Sequence, residues 1–371
     1  MAKAKAIKVA YPAMVDRRLA QLKYAMEEHK VEAVAITYMP NIRYLTNFSG
    51  SSATLIIHED NICFVTDDRY EEQIKDELYD LPNLRIYITR DIWGEQAQKD
   101  VLAGLTTLGF EADRMPYADA VEIRNRVRPV KFKPAPYVCE PFTQPKSPEE
   151  LAYIQEACRI AEETYDKMLD FIKPGITEDE LAREITYQSR KLGSEKDPFK
   201  VIVTSGERGK YIHGMPSDKK LKKNELVMMN FGAQVHGFGS AISRTVAIGK
   251  ATKEQQTIYT LIMESIKKAA VNVRPGMNGK HLDMIAREVI NKAGYEKNFQ
   301  HGLGYGIGLV EQEKPIITFR LDDQIVPEDV VLAISPGVYN DKFGMRVQEN
   351  IKITKSGGEF LTNAPEELPI I

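Results

Sequence analysis

Val227-Met228-Met229-Asn230-Phe231-Gly232-Ala233, followed after two residues by His236-Gly237-Phe238-Gly239-Ser240-Ala241-Ile242-Ser243-Arg244-Thr245-Val246-Ala247-Ile248-Gly249, is the stretch of this 371-residue chain from which the fold follows. Two apolar runs are joined by a turn containing glycine, a pattern that predicts a buried hairpin.

Further blocks follow in order. His301-Gly302-Leu303-Gly304-Tyr305-Gly306-Ile307-Gly308-Leu309 is glycine-rich, Ile334-Ser335-Pro336-Gly337-Val338-Tyr339 carries a Pro-Gly turn, and Gly344-Met345-Arg346-Val347-Gln348-Glu349 reads as a short strand. The glycine-rich block lacks the strand-loop-helix setting and downstream acid of a dinucleotide site, so phosphate cradling is not expected. Ser205-Gly206-Glu207 has no Gly-x-Ser-x-Gly elbow around it, and the run Lys219-Lys220-Leu221-Lys222-Lys223 reads as a solvated turn before a strand.

Four such blocks in this order resemble the pita-bread metallopeptidase family, which includes Xaa-Pro dipeptidase (prolidase), aminopeptidase P, methionine aminopeptidase and the metal-free relative creatinase. The resemblance implies an α/β N-terminal domain over residues 1–143 and an α+β pita-bread domain over residues 144–371. It also implies that five positions would hold two divalent ions in the metal-using members. Here they carry Asn230 and Ala241 in place of two Asp, Tyr305 in place of His, and Ser335 and Gln348 in place of two Glu. A dication pair needs imidazole and carboxylate donors with compensating charge, and this set offers neutral, weak donors only. The expectation is a protein with no metal cofactor. The segment between Ser335 and Gln348 is one residue shorter than the family spacing, which leaves Glu349 as the alternative occupant of the last position. Since strand neighbours alternate faces, the Arg346 anchor favours Gln348.

Other matched positions keep their chemistry. His213, 17 residues before Asn230, corresponds to a family histidine that contacts substrate or transition state and that survives in creatinase. The second family histidine falls at Gln312, which can donate a hydrogen bond but cannot shuttle a proton near neutral pH. His301, Arg244 and Arg346 match framework positions, as pocket contacts or as structural hydrogen bonders. The glutamates that hold creatinase's guanidinium substrate fall at Ser243 and Ser335, so a cationic ligand finds no anionic clamp. The expected pocket is therefore His213 with Asn230, Ala241, His301, Tyr305, Gln312, Ser335, Arg346 and Gln348. Three functions remain open: a pseudoenzyme binding a peptide or amino-acid-like ligand, a metal-independent hydrolase or lyase using His213, and an ordinary metal-dependent Xaa-Pro peptidase.

Net charge is −3 and hydrophobic residues make up 43% of the chain, an ordinary globular balance that argues against general nucleic-acid binding. No apolar run approaches 18 residues, and the basic start Met1-Ala2-Lys3-Ala4-Lys5-Ala6 leads into no long apolar stretch, so no membrane association and a cytoplasmic location are expected. Cys63, Cys139 and Cys158 are scattered and odd in number, as reduced buried thiols are. In the first domain, residues 15–30 form an amphipathic pattern and residues 33–36 a buried strand. Residues 53–58 and 62–66 flank the polar turn Glu59-Asp60-Asn61 as a hairpin. The strings Asn41-Ile42-Arg43-Tyr44-Leu45-Thr46-Asn47-Phe48 and Thr66-Asp67-Asp68-Arg69-Tyr70 resemble the same family's N-terminal domain, which implies a homodimer. Pro134, Pro136, Pro141 and Pro145 mark the boundary, and Ser147-Pro148-Glu149-Glu150 forms a capping box that opens a helix. A weak repeat relates Lys173-Pro174-Gly175 and Ala182-Arg183-Glu184-Ile185 to Arg274-Pro275-Gly276 and Ala286-Arg287-Glu288-Val289, with a three-residue indel between copies.

Overall fold

The computed structural model describes residues 10, 12–59, 61–94 and 100–371; Asp60 and the basic start at residues 1–6 lie outside them. The chain divides after Thr143 into two compact units.

In the first unit, Val15, Leu19, Leu22 and Met26 recur at spacings of four and three and form the buried side of the Met14–His29 helix. That helix ends on Lys30 in the left-handed region, φ 54°. A mixed six-stranded sheet follows, in the order β4-β3-β2-β1-β5-β6, built from β1 (Ala33–Ile36), β2 (Thr54–His58), β3 (Asn61–Thr66), β4 (Leu84–Ile88), β5 (Thr107–Phe110) and β6 (Lys131–Pro134). The β2–β3 hairpin pairs antiparallel, while β3–β4, β1–β5 and β5–β6 are parallel. All four residues of β1 are buried, as a strand covered on both faces should be.

The second unit opens with the Pro148–Phe171 helix, capped reciprocally by Ser147 and Glu150. It holds β7 (Ile202–Ser205), β8 (Leu226–Phe231) and β11 (Ile242–Ala247) in one three-stranded sheet, order β11-β8-β7. A five-stranded sheet, order β13-β12-β14-β17-β18, combines β12 (Gly304–Gly306), β13 (Glu313–Ile317), β14 (Val331–Ile334), β17 (Glu349–Thr354) and β18 (Gly357–Phe360). Two small hairpins complete it: β9 (Gln234–Val235) with β10 (Phe238–Gly239), and β15 (Gly337–Tyr339) with β16 (Gly344–Arg346). β8 and β11 pair antiparallel with Asn230 opposite Ser243, and every residue of both strands is buried. The tight turn between β9 and β10 places His236 at φ 47° and Gly237 at φ 85°, the two left-handed positions that a primed hairpin turn demands. An isolated bridge between Ser243 and Gln348, with the Gln348 amide donating to the Ser243 carbonyl at 3.1 Å, ties the two larger sheets together.

The internal repeat is present, but its register differs from the one expected. Helices Glu178–Lys191 and Gly279–Lys292 both have 14 residues, and both follow a glycine at positive φ, Gly175 at 101° and Gly276 at 84°. Each linker makes the same isolated bridge just before its helix, Thr177 with Lys220 and Asn278 with Ile325. The buried positions Leu181, Ala182 and Ile185 correspond one for one to Leu282, Asp283 and Ala286. No indel is needed, and the Ala-Arg-Glu identity is a coincidence three residues out of register. Two half-cores follow the repeat. One packs Leu181, Ile185, Val227 and Ile242 with the first helix pair, and the other packs Ile262, Ile266, Leu282, Leu332 and Ile351 with the second. No helix among the described residues is long and apolar enough to cross a membrane.

Candidate functional site

A cavity of about 670 Å³ opens within the second unit, and Gln348 of the bridge between the two sheets lines it. That volume suits a small organic ligand. Of the expected pocket residues, His213, Asn230, His301, Tyr305, Gln312, Ser335, Arg346 and Gln348 line it. Ala241 does not. It is buried behind the wall, where its backbone N–H donates to Asn350 Oδ1 at 3.2 Å and its carbonyl accepts from Asn350 Nδ2 at 2.9 Å. Gln348 faces the cavity, and Glu349 turns to the opposite side of the strand. There the Glu349 carboxylate meets Arg244 at 3.3 Å and accepts from the Thr362 hydroxyl and the Ala364 amide. Arg244 is accordingly structural: it also donates to the Gln348 carbonyl at 2.7 Å and to the Ser243 carbonyl at 3.0 Å.

Asn230, Tyr305, Ser335 and Gln348 are neutral, and the side chains of all but Ser335 hydrogen-bond within the protein. Asn230 Nδ2 donates to the Ile242 carbonyl at 3.0 Å and to Ser243 Oγ at 2.8 Å, so both amide hydrogens are spent inside the sheet. Gln348 Nε2 donates to the Tyr305 hydroxyl at 3.4 Å. Burial raises the Tyr305 phenol above its usual range, opposed by Arg346. Ser335 is buried with Oγ lacking a hydrogen-bond partner.

His301 is held as one tautomer. Its Nδ1 lies 2.8 Å from the Gly302 carbonyl, which can only accept, so Nδ1 carries the proton; Nε2, 3.1 Å from the Tyr339 hydroxyl, is left to accept. Burial raises the Tyr339 phenol above its usual range, opposed by the Arg346 charge. Burial first, then the Arg346 charge, push the His301 pKa down to about 3. The imidazole is neutral at physiological pH and its lone pair is occupied.

Buried carboxylates away from the cavity set its geometry. Glu178 accepts from Ser205 N and Oγ, both at 2.8 Å, from Arg208 Nε at 2.9 Å and from Ser217 Oγ at 2.7 Å, pinning both ends of the loop that carries His213. Asp283 holds Arg287 through a two-pronged pair and accepts from Leu303 N at 2.8 Å, while Arg287 donates to the carbonyls of Phe299 and His301, each at 2.7 Å. His213 itself is exposed in the cavity mouth. Lys219, at the start of the lysine run, is drawn inward to Ser205 Oγ and Glu225, both at 2.7 Å, while Lys220, Lys222 and Lys223 are exposed.

Among the described residues no group of three His, Cys, Asp or Glu side chains converges as a metal site. The cavity's central donors are one amide each from Asn230 and Gln348, a protonated phenol, a hydroxyl and a guanidinium. That set does not fit a pair of divalent cations, which need anionic oxygen or imidazole donors.

The chain matches metallopeptidase family M24 over residues 152–355 and the creatinase/prolidase N-terminal domain over residues 18–142. It belongs to the M24 family. Among its relatives, an uncharacterized peptidase, YqhT, of Bacillus subtilis is 31% identical over 360 residues, covering 95% of this chain and 100% of the relative. An Xaa-Pro dipeptidase of Pyrococcus furiosus is 32% identical over 359 residues, covering 95% and 100%. The solved structure of an Xaa-Pro dipeptidase from Bacillus anthracis superposes with a TM-score of 0.90 at 29% identity, covering 96% of this chain and 100% of that one. The prolidase from Pyrococcus horikoshii gives 0.87 at 30% identity, covering 94% and 99%. The pita-bread architecture behind an α/β N-terminal domain is thus shared along nearly the whole M24 chain.

Sequence reasoning missed the cavity's apolar wall, to which Phe199, Ile202, Ile212, Ile316 and Leu321 contribute, and its charged residues Lys200, Glu311 and Arg320. They come from segments without a motif, and only the folded chain places them together. Tyr339, whose hydroxyl meets His301 Nε2, was visible as part of the Pro-Gly block but carried no signal of that role.

Proposed function

We propose that this chain is an M24 family member that has lost the paired-metal centre and uses its cavity to bind a peptide or amino-acid-like ligand without metal-dependent hydrolysis. One observation carries the reading: the family's ligand positions, as aligned by the four sequence blocks, supply no carboxylate and no imidazole. In their place stand Asn230, Tyr305, Ser335 and Gln348 around the cavity and Ala241 behind its wall. Two dications would face the Arg346 guanidinium with Glu311 as the one carboxylate lining the cavity. Proton transfer is also poorly served, because His301 is neutral with its lone pair engaged and Gln312 has no titrating group.

The test is elemental analysis of the purified full chain combined with cleavage assays on Gly-Pro and Ala-Pro. The expected result is less than stoichiometric Mn, Fe, Co or Zn and no cleavage after reconstitution with any of them. Two equivalents of metal per chain, with cleavage abolished by chelator, would establish the Xaa-Pro peptidase activity that the relatives' names carry. Turnover of small amides by metal-free protein, lost in His213→Ala, would assign the cavity to metal-independent hydrolysis.

A further inference from the structure

Asn230 presents one atom to the cavity, and the fold fixes which one. The Ile242 carbonyl can only accept, so the atom 3.0 Å from it is the amide nitrogen, whose other hydrogen goes to Ser243 Oγ at 2.8 Å. Oδ1 is the end left over. No described residue donates to it, and unlike Ser335 Oγ it is not closed over by protein. Tyr305 supplies the complementary half. Its hydroxyl accepts from Gln348 Nε2 at 3.4 Å and donates to no described acceptor, so its own proton is unspent. The two residues belong to one polar row across the seam: Asn230 stands opposite Ser243, Ser243 is bridged to Gln348, and Gln348 is bonded to Tyr305.

An acceptor and a donor on the same wall select the charge of what they meet. A carboxylate has no hydrogen for Asn230 Oδ1 and would set lone pairs against lone pairs. An ammonium satisfies Oδ1 but offers nothing to the Tyr305 proton, and it meets the Arg346 charge, whose field reaches both Tyr305 and His301. A carboxamide carries N–H and C=O side by side and answers both groups without a net charge. Phe199, Ile202, Ile316 and Leu321 add an apolar wall for the remainder of such a molecule. We propose that the cavity takes an uncharged primary carboxamide with an apolar body, its N–H donated to Asn230 Oδ1 and its carbonyl accepting from the Tyr305 hydroxyl. The inference rests on the metal-free reading of the cavity and narrows its ligand to a neutral amide.

Calorimetry on the full chain, dialysed against chelator and analysed for metal, with 3-phenylpropionamide, 3-phenylpropionate and 3-phenylpropylamine as probes, tests it. The amide is expected to bind about tenfold more tightly than either charged probe. Tyr305→Phe removes one hydroxyl and little volume, and is expected to weaken the amide about three- to tenfold. Asn230→Asp keeps the side-chain shape and adds a negative charge, so it is expected to reverse the order and place the amine above the amide. Acid binding as tightly as the amide overturns the proposal, and so does amine binding as tightly, which would seat the ligand on Glu311. Unchanged amide affinity in folded Tyr305→Phe, or an unchanged order in folded Asn230→Asp, overturns the placement. No binding of any probe to metal-free protein sinks this inference while leaving the metal-free reading intact. Two equivalents of metal per chain, with binding lost on chelation, sinks that reading and the inference with it.

Discussion

Glu178 is completely buried and does not line the cavity, yet four donors from three residues converge on its two oxygens. Removing the carboxylate strands the Arg208 charge and two serine hydroxyls at the ends of the His213 loop. Glu178→Ala is expected to cost about 3–5 kcal/mol, the range for breaking a buried pair from one side, and to expose residues 206–217 to proteolysis. Urea unfolding and limited digestion measure the two effects. His301 gives a pH dependence of definite sign. Its folded pKa of about 3 lies below the ordinary 6.5, so the unfolded chain takes up a proton that the folded chain refuses between those values. Its contribution to stability is full above pH 6.5 and is lost as pH falls toward 3. His301→Gln should therefore flatten the dependence of the urea midpoint on pH between 6.5 and 4.5 by up to one proton. Side-chain identity at the pocket was legible in the sequence; partnership was not. Nothing in the string around Arg346 tells that its charge acts on His301, Tyr305 and Tyr339, because those residues come from other segments of the chain.

The strand after Arg346 shows what alternation decides. Gln348 and Glu349 are adjacent, and one faces a ligand cavity while the other neutralises Arg244 inside the core. Glu349→Ala is expected to destabilise the chain by about 3–5 kcal/mol by leaving the buried Arg244 charge without its partner. Denaturant unfolding measures the loss. The hairpin of β8 and β11 was readable from its apolar segments and the glycines between them, and the capping box at Ser147 from its spacing, because each is a local rule. The helix repeat was half readable. Its Pro-Gly turns pointed to the right segments, but matching Ala182-Arg183-Glu184 to Ala286-Arg287-Glu288 followed letters instead of burial. Asp283, standing where Ala182 stands in the other half, hid the true register because a buried acid does not look like a core position.

Across the whole molecule, the proposed loss of the metal pair has a thermodynamic signature. A ligand that binds only the folded state raises its stability by RT ln(1 + [L]/Kd), about 2.7 kcal/mol at a hundredfold excess over Kd. Scanning calorimetry with millimolar Mn or Co, or with chelator, should then leave Tm unchanged to within about 1 °C. A rise of several degrees with metal would reveal a filled site. The blocks that determine the architecture were all present in the sequence, since hairpins, Pro-Gly turns and glycine-rich strands are written in contiguous residues. The apolar wall of the cavity was not, since Phe199, Ile202, Ile316 and Leu321 are brought together only when both half-cores have formed.

The isolated rung from the Gln348 amide to the Ser243 carbonyl has a spectroscopic corollary. It is the backbone proton of a cavity residue, and it is shared by two sheets that otherwise carry separate hydrogen-bond ladders. Its deuterium uptake thus reads the seam between the halves of the pita-bread fold. Occupancy of the pocket becomes visible as slowed exchange at a single NMR cross-peak of isotope-labelled protein, with no need for turnover or chromophore.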